Sequence, residues 1–195
     1  MPSLKNWDNQ TWISSKKYIK SFNNFILKQI KLNRDSKILD IGCGRGKIVS
    51  NLSTKLRLKN KPQGIDIINH KDKDKRIKFT KIDALSFFSK NKNKFDLILI
   101  KQTIHLLDLN KIKKLLTLSK KNLSAKGRIF IFTLETDNNQ LPTFKLMKKK
   151  LIKSLQRDKM ILKMITKLYP YRIKKNFTYK VKINKKNYLK MIQNR

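Results

Sequence analysis

Residues 36–48 read SKILDIGCGRGKI, and this stretch decides how the chain folds. Its apolar run Ile38–Ile41 predicts a short strand, and three glycines follow at positions 42, 44 and 46. Apolar residues at helical spacing continue over 48–56. In α/β proteins a strand, a glycine turn and a helix bring bare backbone up to a ligand, because glycine accepts positive φ and has no Cβ. The sequence therefore predicts a small-molecule site on this turn.

The spacing of the glycines separates three interpretations of the turn. A dinucleotide fingerprint, G-x-G-x-x-G, requires a glycine at position 47, where the chain has Lys47. A phosphate-binding P-loop, G-x-x-x-x-G-K-[ST], requires glycine at 41 and a hydroxyl at 48, and both positions hold isoleucine. The third pattern, D-x-G-x-G-x-G directly after a strand, fits throughout, with Asp40 as its acid.

The string ILDIGCGRGKI at 38–48 closely resembles motif I of the class I, Rossmann-like S-adenosylmethionine-dependent methyltransferases. The resemblance covers about 36–134, and the small-molecule methyltransferase domains called types 11 and 12 are the most similar. It implies S-adenosyl-L-methionine as the cofactor and assigns part of its binding to the motif itself, through Asp40, Gly42, Cys43, Gly44 and Gly46. A purely structural glycine turn is the alternative.

Two aspartates further along the chain support this interpretation. Asp66 ends the apolar segment 63–68, and an acid at the end of the second strand can accept hydrogen bonds from both ribose hydroxyls. The resemblance assigns Asp66, with Ile67 beside it, to the ribose end of the cofactor, and Asp83 with Ala84 to the adenine. Either aspartate alone is also typical of a helix N-cap or a turn.

The fourth predicted strand leads into candidate catalytic residues. A continuous apolar run at 97–100 is typical of a buried parallel strand. The Ile-His-Leu sequence at 104–106 resembles a segment that follows this strand in many small-molecule methyltransferases. The resemblance implies that Lys101 contacts the cofactor, that Gln102 contacts the acceptor, and that His105 contacts the acceptor and is the candidate general base. A role of His105 in shaping the pocket is the alternative.

Two further residues are candidates for contact with the acceptor. Glu135 follows the fifth predicted strand, at the carboxyl edge where ligands bind in such sheets. Tyr18 lies on an amphipathic helix predicted over 11–32 and can reach the methionine end of the cofactor, although a buried core position is the simpler interpretation. Residues 123–132 resemble the family's entry into strand five, with two departures in its turn.

These patterns predict a single α/β domain over 1–195. Its fold is a Rossmann-like, doubly wound, mostly parallel sheet of order 3-2-1-4-5, with helices on both faces and a basic helical C-terminal lid. The expected parts are an N-terminal helical cap (1–34), a cofactor-binding core (35–135) and a lid or substrate segment (136–195). The strands are predicted at 37–41, 63–67, 77–82, 95–100 and 127–133, and the core helices at 46–58, 84–90 and 109–121.

The C-terminal segment is strongly basic, because after position 141 it has eighteen lysines and arginines but one acid, Asp158. Residues 143–168 predict an amphipathic helix, which either lies on a membrane or RNA, or forms a lid with a solvated outer face; we favour the lid. An extended segment or strand is predicted at 176–183 and a short helix at 185–192. The family's late hairpin is therefore expected to be missing or reduced.

The net charge of +37 normally indicates nucleic acid, but its composition argues otherwise. The basic residues are 41 lysines and 8 arginines, scattered along the chain, whereas RNA readers favour arginine and aromatic residues. Lysine, asparagine and isoleucine all have AT-rich codons. The N-P-P-[YFW] motif of amino-methylating enzymes is absent after strand four. We therefore expect a small-molecule acceptor, with an RNA methyltransferase and a non-catalytic cofactor-binding protein as alternatives.

The cysteine content and the hydropathy indicate in which cellular compartment the protein is expected. The single cysteine, Cys43, excludes a disulfide framework and favours a reducing cytoplasm. No apolar stretch approaches the length of a membrane span. A catalytic role of Cys43 is disfavoured, because the family often carries a small packing residue there. No metal site is predicted.

Overall fold

The computed structural model describes residues 12–134, 145–169, 173–181 and 184–193. Its helices are α1 (Lys16–Leu27), α2 (Lys47–Leu56), α3 (Ala84–Lys90), α4 (Leu109–Lys121), α5 (Lys145–Leu168) and α6 (Lys185–Gln193). Its strands are β1 (Ile38–Ile41), β2 (Gln63–Asp66), β3 (Lys78–Lys81), β4 (Phe95–Lys101) and β5 (Leu123–Phe132). Short 3-10 turns cover Trp12–Ser14 and Ile104–Leu106.

In the described part of the chain five parallel strands form one sheet, in the order β3-β2-β1-β4-β5. This result confirms the predicted Rossmann-like strand order. The central strand β1 pairs on both sides: Leu39 lies opposite Gln63 of β2 and Ile98 of β4. Because the strand order reverses between β1 and β4, a crevice for a ligand is expected where their carboxyl ends meet.

Strand β4 divides the core into two layers, because successive side chains of a strand point to opposite faces. Ile98 and Ile100 pack with helices α3, α4 and α5, whereas Leu97 and Leu99 pack with α1 and α2. All four side chains are completely buried. The apolar run in the sequence is therefore continuous because helices cover both faces of the sheet.

The N-terminal helix is shorter than the predicted span 11–32. Helix α1 begins after Ser15, whose Oγ accepts a hydrogen bond from the Tyr18 backbone N–H at 3.2 Å. It ends at Leu27, yet Ile30 beyond it is still buried in the core. Apolar spacing alone thus overestimates the helix, since a core contact does not require the chain to stay helical.

Strand β5 begins four residues earlier than predicted. Phe95 pairs with Leu123, whereas Leu97 pairs with Arg128, so a bulge in β5 absorbs the intervening residues. The sequence predicts a turn before residue 127, and the structure places those residues within the strand as its irregular part. The carboxyl end of β5 at Phe132 is unaffected by this difference.

The C-terminal helices agree with their predictions to within two residues. Helix α5 spans Lys145–Leu168, against the predicted 143–168, and α6 spans Lys185–Gln193, against the predicted 185–192. Within the extended segment predicted at 176–183, residues 176–181 form no regular secondary structure, and 182–183 lie outside the described residues. Among the described residues, no helix combines the length and apolar character needed to cross a bilayer.

Candidate active site

Glycine is required at two positions of the turn between β1 and α2. The φ angles of Gly42, Gly44 and Gly46 are +70°, +53° and +70°. A Cβ at Gly42 would lie 2.1 Å from Thr103 Oγ1, and one at Gly46 would lie 2.2 Å from Ile77 Cδ1. Positive φ and close packing therefore exclude larger residues at positions 42 and 46 and keep the backbone of the turn bare.

Hydrogen bonds fix this turn against the end of β2. The backbone N–H groups of Gly42 and Cys43 both donate to the Ile65 carbonyl, at 2.9 and 3.0 Å. The Gly46 N–H donates to the Cys43 carbonyl at 2.8 Å and closes the turn. The turn is thus continuous with the hydrogen bonds of the sheet.

Asp66, the residue predicted to bind ribose, lies directly beside the glycine turn. Its Oδ2 accepts a hydrogen bond from the Gly44 N–H at 2.8 Å, and its Oδ1 accepts one from the Ile68 N–H at 2.9 Å. An ionised carboxylate has about four acceptor positions, so both oxygens keep capacity for hydroxyl donors. The next side chain, Ile67, is apolar and 60% exposed, which offers a flat apolar contact at the same edge.

Asp83, predicted to lie by the adenine, is the N-cap of α3. Its Oδ1 accepts hydrogen bonds from the backbone N–H groups of Leu85 and Ser86, both at 3.0 Å. The interaction with the Ser86 side chain lowers the pKa of Asp83 most, and these backbone hydrogen bonds lower it further. Both end on Oδ1, so Oδ2 is still able to accept a donor, and Ala84 begins the helix beside it. The capping alternative is therefore observed, without excluding a cofactor contact.

A buried carboxylate and a lysine lie where β1 and β4 end. Asp40 is 4% exposed, and burial raises its pKa to about 7; the charge of Lys101 lowers this pKa, and that of Asp66 raises it further. Lys101 is the last residue of β4, so its ammonium lies near the carboxylate of β1. Together they place a titratable carboxyl group and a positive charge at the switch point.

Cys43 is not suited to nucleophilic chemistry. Burial raises the pKa of its thiol, and the negative charges of Asp40 and Asp66 raise it further. A thiol must lose its proton to act as a nucleophile, and this environment opposes the loss. Its Sγ would lie 2.8 Å from a Cβ at Gly64, so Cys43 packs closely against the neighbouring strand, as a small residue should.

An aromatic cluster borders the site on the side of α1. Tyr18 and Phe22 of α1 contact Phe177 at ring-centroid distances of 5.8 and 5.2 Å, and Tyr18 contacts Tyr179 at 5.2 Å. Lys101 Nζ lies 5.5 Å from the Tyr18 ring centroid, within range of a cation–π contact. Tyr18 is therefore a buried core residue that also contacts a site lysine.

Gln102 adopts an unusual backbone conformation immediately after β4. Its φ is +51°, in the left-handed region that non-glycine residues rarely occupy, and its N–H donates to the Phe132 carbonyl at 2.8 Å. Its Oε1 is buried, and no described residue hydrogen-bonds to it. Residues with a strained backbone and unpaired polar atoms cluster at functional sites. This observation supports the prediction that Gln102 contacts the methyl acceptor.

His105 lies in the 3-10 turn Ile104–Leu106 and is partly buried. Burial lowers the pKa of its imidazole, the charge of Asp158 raises it, and that of Arg157 lowers it. Asp158 belongs to α5, so the long C-terminal helix crosses this turn. A hydrogen bond joins α5 to the end of this turn, since Arg157 Nη2 donates to the Leu107 carbonyl at 2.8 Å.

Sequence reasoning missed several residues that build the site. Thr103 fills the space above Gly42, and Asp158 faces the turn of His105, but both contacts depend on distant parts of the chain. Only the isolation of Asp158 in a basic segment was visible in the sequence. Glu135, a predicted acceptor contact, lies outside the described residues.

A salt-bridge network between α2 and the loop after β2 was also missed. The buried Arg45 of the glycine turn binds Asp72 Oδ2 through Nε at 2.6 Å. Asp74 accepts from Ser50 Oγ at 2.9 Å and from Arg76 Nη2 at 2.6 Å, and the hydrogen bond from Arg76 lowers its pKa most. The loop after Asp66 is thereby tied to the glycine turn.

A concavity of about 590 Å³ lies at the opposite, amino-terminal edge of the sheet. Its lining includes Lys37, Lys61, Gln63, Lys78 and Asn93. It is open, and it lies at the far end of the strands from the glycine turn. We place the site at the carboxyl edge, because the glycine turn, the buried carboxylate and the strained Gln102 all lie there.

Comparison with known proteins identifies the family of this fold. A family model described as a methyltransferase domain matches residues 32–194. The plantazolicin methyltransferase BpumL in complex with SAH is 25% identical, with a TM-score of 0.56, over 77% of this chain and 63% of that one. BpumL with a triazolic desmethylPZN analogue and SAH is 23% identical, with a TM-score of 0.59, over 84% and 68%.

A third solved structure, an S-adenosylmethionine-dependent methyltransferase from Clostridium acetobutylicum ATCC 824, is 22% identical with a TM-score of 0.50. It is matched over 58% of this chain and 49% of its own. The chain thus spans about half to two thirds of the length of these proteins. A search of curated proteins finds no match. Because the family model covers most of the sequence and the sheet has the matching strand order, the chain belongs to the class I S-adenosylmethionine-dependent methyltransferase domain family.

Proposed function

We propose that this protein transfers a methyl group from S-adenosylmethionine to a small-molecule acceptor at the carboxyl edge of β1 and β4. One observation carries the proposal: the bare glycine turn and the Asp66 carboxylate meet at this edge, joined by the Gly44 N–H at 2.8 Å. Neither a phosphate nor a dinucleotide is favoured, since the spacing of the glycines matches neither motif.

The residues present fit the cofactor. A Cβ at Gly42 or Gly46 would collide with neighbouring side chains, so the turn offers backbone alone to a ligand. Asp66 has acceptor capacity for ribose hydroxyls, and Asp40 with Lys101 supplies opposite charges for the amino and carboxylate groups of the methionine end. When bound, S-adenosylmethionine supplies an electrophilic methyl group on a positively charged sulfur.

The remaining task of the protein is to align the acceptor and exclude water. The aromatic cluster formed by α1 and the segment 173–181 closes one side of the site. The buried side-chain carbonyl oxygen of Gln102 can accept a hydrogen bond from the molecule that is methylated. His105 is held partly buried in a state of lowered pKa, so its imidazole is neutral and able to accept a proton at neutral pH.

A small acceptor agrees better with the structure than RNA. Among the described residues, exposed lysines lie on several helices, including Lys113 of α4 and Lys153 of α5. On the side of α1, Phe177 of segment 173–181 packs against Tyr18 and Phe22. BpumL is solved with a desmethylPZN analogue, and we extend from it only the general class, a small molecule.

Cofactor binding is tested by calorimetry with S-adenosylhomocysteine on wild type, Asp66→Ala and Asp96→Ala. Asp96 is a matched control, since it also accepts two hydrogen bonds, from the Lys37 N–H and Ser124 Oγ, but at the opposite edge of the sheet. Loss of one or two hydrogen bonds to a charged acceptor is expected to weaken binding by Asp66→Ala about 10- to 100-fold. Asp96→Ala should bind nearly as wild type does. Absence of binding by wild type, or equal losses in both variants, contradicts the proposal.

Acceptor class is tested with S-adenosylmethionine labelled in its methyl group. The protein is incubated separately with the small-molecule fraction and the RNA fraction of a bacterial extract, with Asp66→Ala as the inactive control. We expect label in the small-molecule fraction alone. Label that enters RNA and requires Asp66 would instead establish the RNA alternative.

A further inference from the structure

The one acid in the basic C-terminal segment is buried. Asp158 of α5 is 4% exposed, although its neighbours Arg157 and Lys159 are exposed. It shares the inner face of the helix with Ile161 and Ile165, which occupy the same core cluster as Ile104. Spacings of three and seven residues place all three on that face. Asp158 therefore points toward the turn that carries His105.

One oxygen of the buried Asp158 carboxylate, Oδ1, lacks a hydrogen-bond partner among the described residues. The contact between α5 and the turn is already made by Arg157 Nη2, which donates to the Leu107 carbonyl. Burial of a carboxylate with an unpaired oxygen costs stability, and perturbed groups of this kind cluster at functional sites.

We propose that Asp158 is a positioning residue for His105, whose buried carboxylate orients the imidazole and stabilises it when it carries the acceptor's proton. This inference rests on the proposed methyl transfer. In that step the acceptor's lone pair bonds to the methyl carbon, and the carbon–sulfur bond breaks with its electron pair left on sulfur. The acceptor's O–H or N–H proton passes to the imidazole, which later releases it to water.

The charges around His105 support this arrangement. In the described part of the chain, the charged groups that act on its imidazole are Asp158 and Arg157, both from α5. Burial and Arg157 lower the pKa of His105, which keeps the free base available, whereas Asp158 raises it. Burial in turn raises the pKa of Asp158, and His105 lowers it. Asp158 therefore favours the protonated form of His105, and His105 favours the ionised form of Asp158.

The test is an NMR titration of the full-length, cofactor-free protein, which has only two histidines. His70→Gln assigns the two imidazole signals. We expect Asp158→Asn to lower the pKa of His105 by about one unit, and Arg157→Met to raise it. Loosened packing of α5 would shift the pKa of His105 in the same direction in both variants. Opposite shifts therefore show that the charges of Asp158 and Arg157 cause the effect. An unchanged pKa in Asp158→Asn, or shifts of equal sign, overturns the inference.

Kinetics provide the second readout. Asp158→Asn should lower kcat about 10-fold with little change in KM, move the acidic limb of kcat/KM to lower pH, and be partly rescued in Asp158→Glu. If wild type fails to bind S-adenosylhomocysteine while the opposite NMR shifts appear, the proposed function fails and the pairing of Asp158 with His105 stands. If transfer occurs but Asp158→Asn retains the wild-type kcat and pH profile, the positioning role is wrong.

Discussion

Replacing Asp40 with asparagine should remove a pH dependence of stability that its burial creates. Asp40 lies on the central strand β1, 4% exposed, and burial raises its pKa to about 7 from an ordinary value of 3.8. Lys101 opposes this effect and Asp66 adds to it. Asparagine has nearly the same shape and no charge, so Asp40→Asn isolates the ionisation.

The sign follows from which state binds the proton. Between about pH 4 and about pH 7 the unfolded chain has lost the Asp40 proton, whereas the folded protein retains it. The free energy of unfolding therefore falls as the pH rises through this range. A difference of roughly three pKa units corresponds to about 4 kcal/mol of lost stability, most of which has been lost by about pH 7.

The assay is urea unfolding, followed by far-ultraviolet circular dichroism at constant ionic strength, from about pH 5 to about pH 8. His105 and Asp158 also have shifted pKa values, but they are present in both proteins and cancel in the difference. We expect Asp40→Asn to gain stability relative to wild type as the pH rises. A difference that stays flat across the range would refute the reasoning.

Cofactor binding extends the same prediction. On the proposal that the positively charged methionine end lies beside Asp40, binding ionises the carboxylate and releases a proton below about pH 7. Calorimetry in two buffers of different ionisation enthalpy measures that release, which Asp40→Asn should abolish. Lys101→Met should raise the pKa of Asp40 further and increase the release near neutral pH, because a stabilising positive charge is removed.

Two more predictions concern the turn and the aromatic cluster. Gly46→Ala should lower the free energy of unfolding by about 2–4 kcal/mol, from positive φ and overpacking. Adding Ile77→Val removes the Cδ1 that lies 2.2 Å from the new Cβ, so urea unfolding should show partial recovery; no recovery would assign the whole loss to φ. Phe177→Ala should speed hydrogen exchange over 173–181, because that ring anchors the segment to α1, whereas the exposed Thr178→Ala should leave exchange unchanged. Equal exchange in both variants would contradict the anchoring role.

The sheet could be predicted from the sequence because its information is local. Apolar runs such as 97–100 indicate strands buried on both faces, and the glycine turn identifies the first strand of the fold. The order β3-β2-β1-β4-β5 then follows from the family resemblance. Strand ends were predicted less well, since the bulge near Leu123 depends on pairing with β4, which no local pattern records.

The candidate site could be predicted only in part. The glycines and Asp66 belong to one continuous motif region, and the structure brings them together. The contact of Thr103 with Gly42 and that of Asp158 with His105 join distant parts of the chain. Side-chain packing between separate elements decides such contacts, and neither composition nor periodicity contains that information.

Among the described residues, the carboxylates with shifted pKa values are of two kinds, and the difference between them indicates where the chemistry lies. Asp72, Asp74, Asp83 and Asp108 have lowered pKa values, because each accepts hydrogen bonds from an arginine or from the start of a helix. These aspartates hold loops and cap helices.

Asp40 and Asp158 have raised pKa values, because the fold buries them. Scaffold aspartates gain stability from ionisation, whereas these two lose stability from it, and perturbed groups of the second kind cluster where catalysis occurs. One lies at the proposed methionine end and the other behind the proposed base. In a chain with only 12 acids against 49 basic residues, the two unfavourable carboxylates thus lie at the two ends of the proposed methyl transfer.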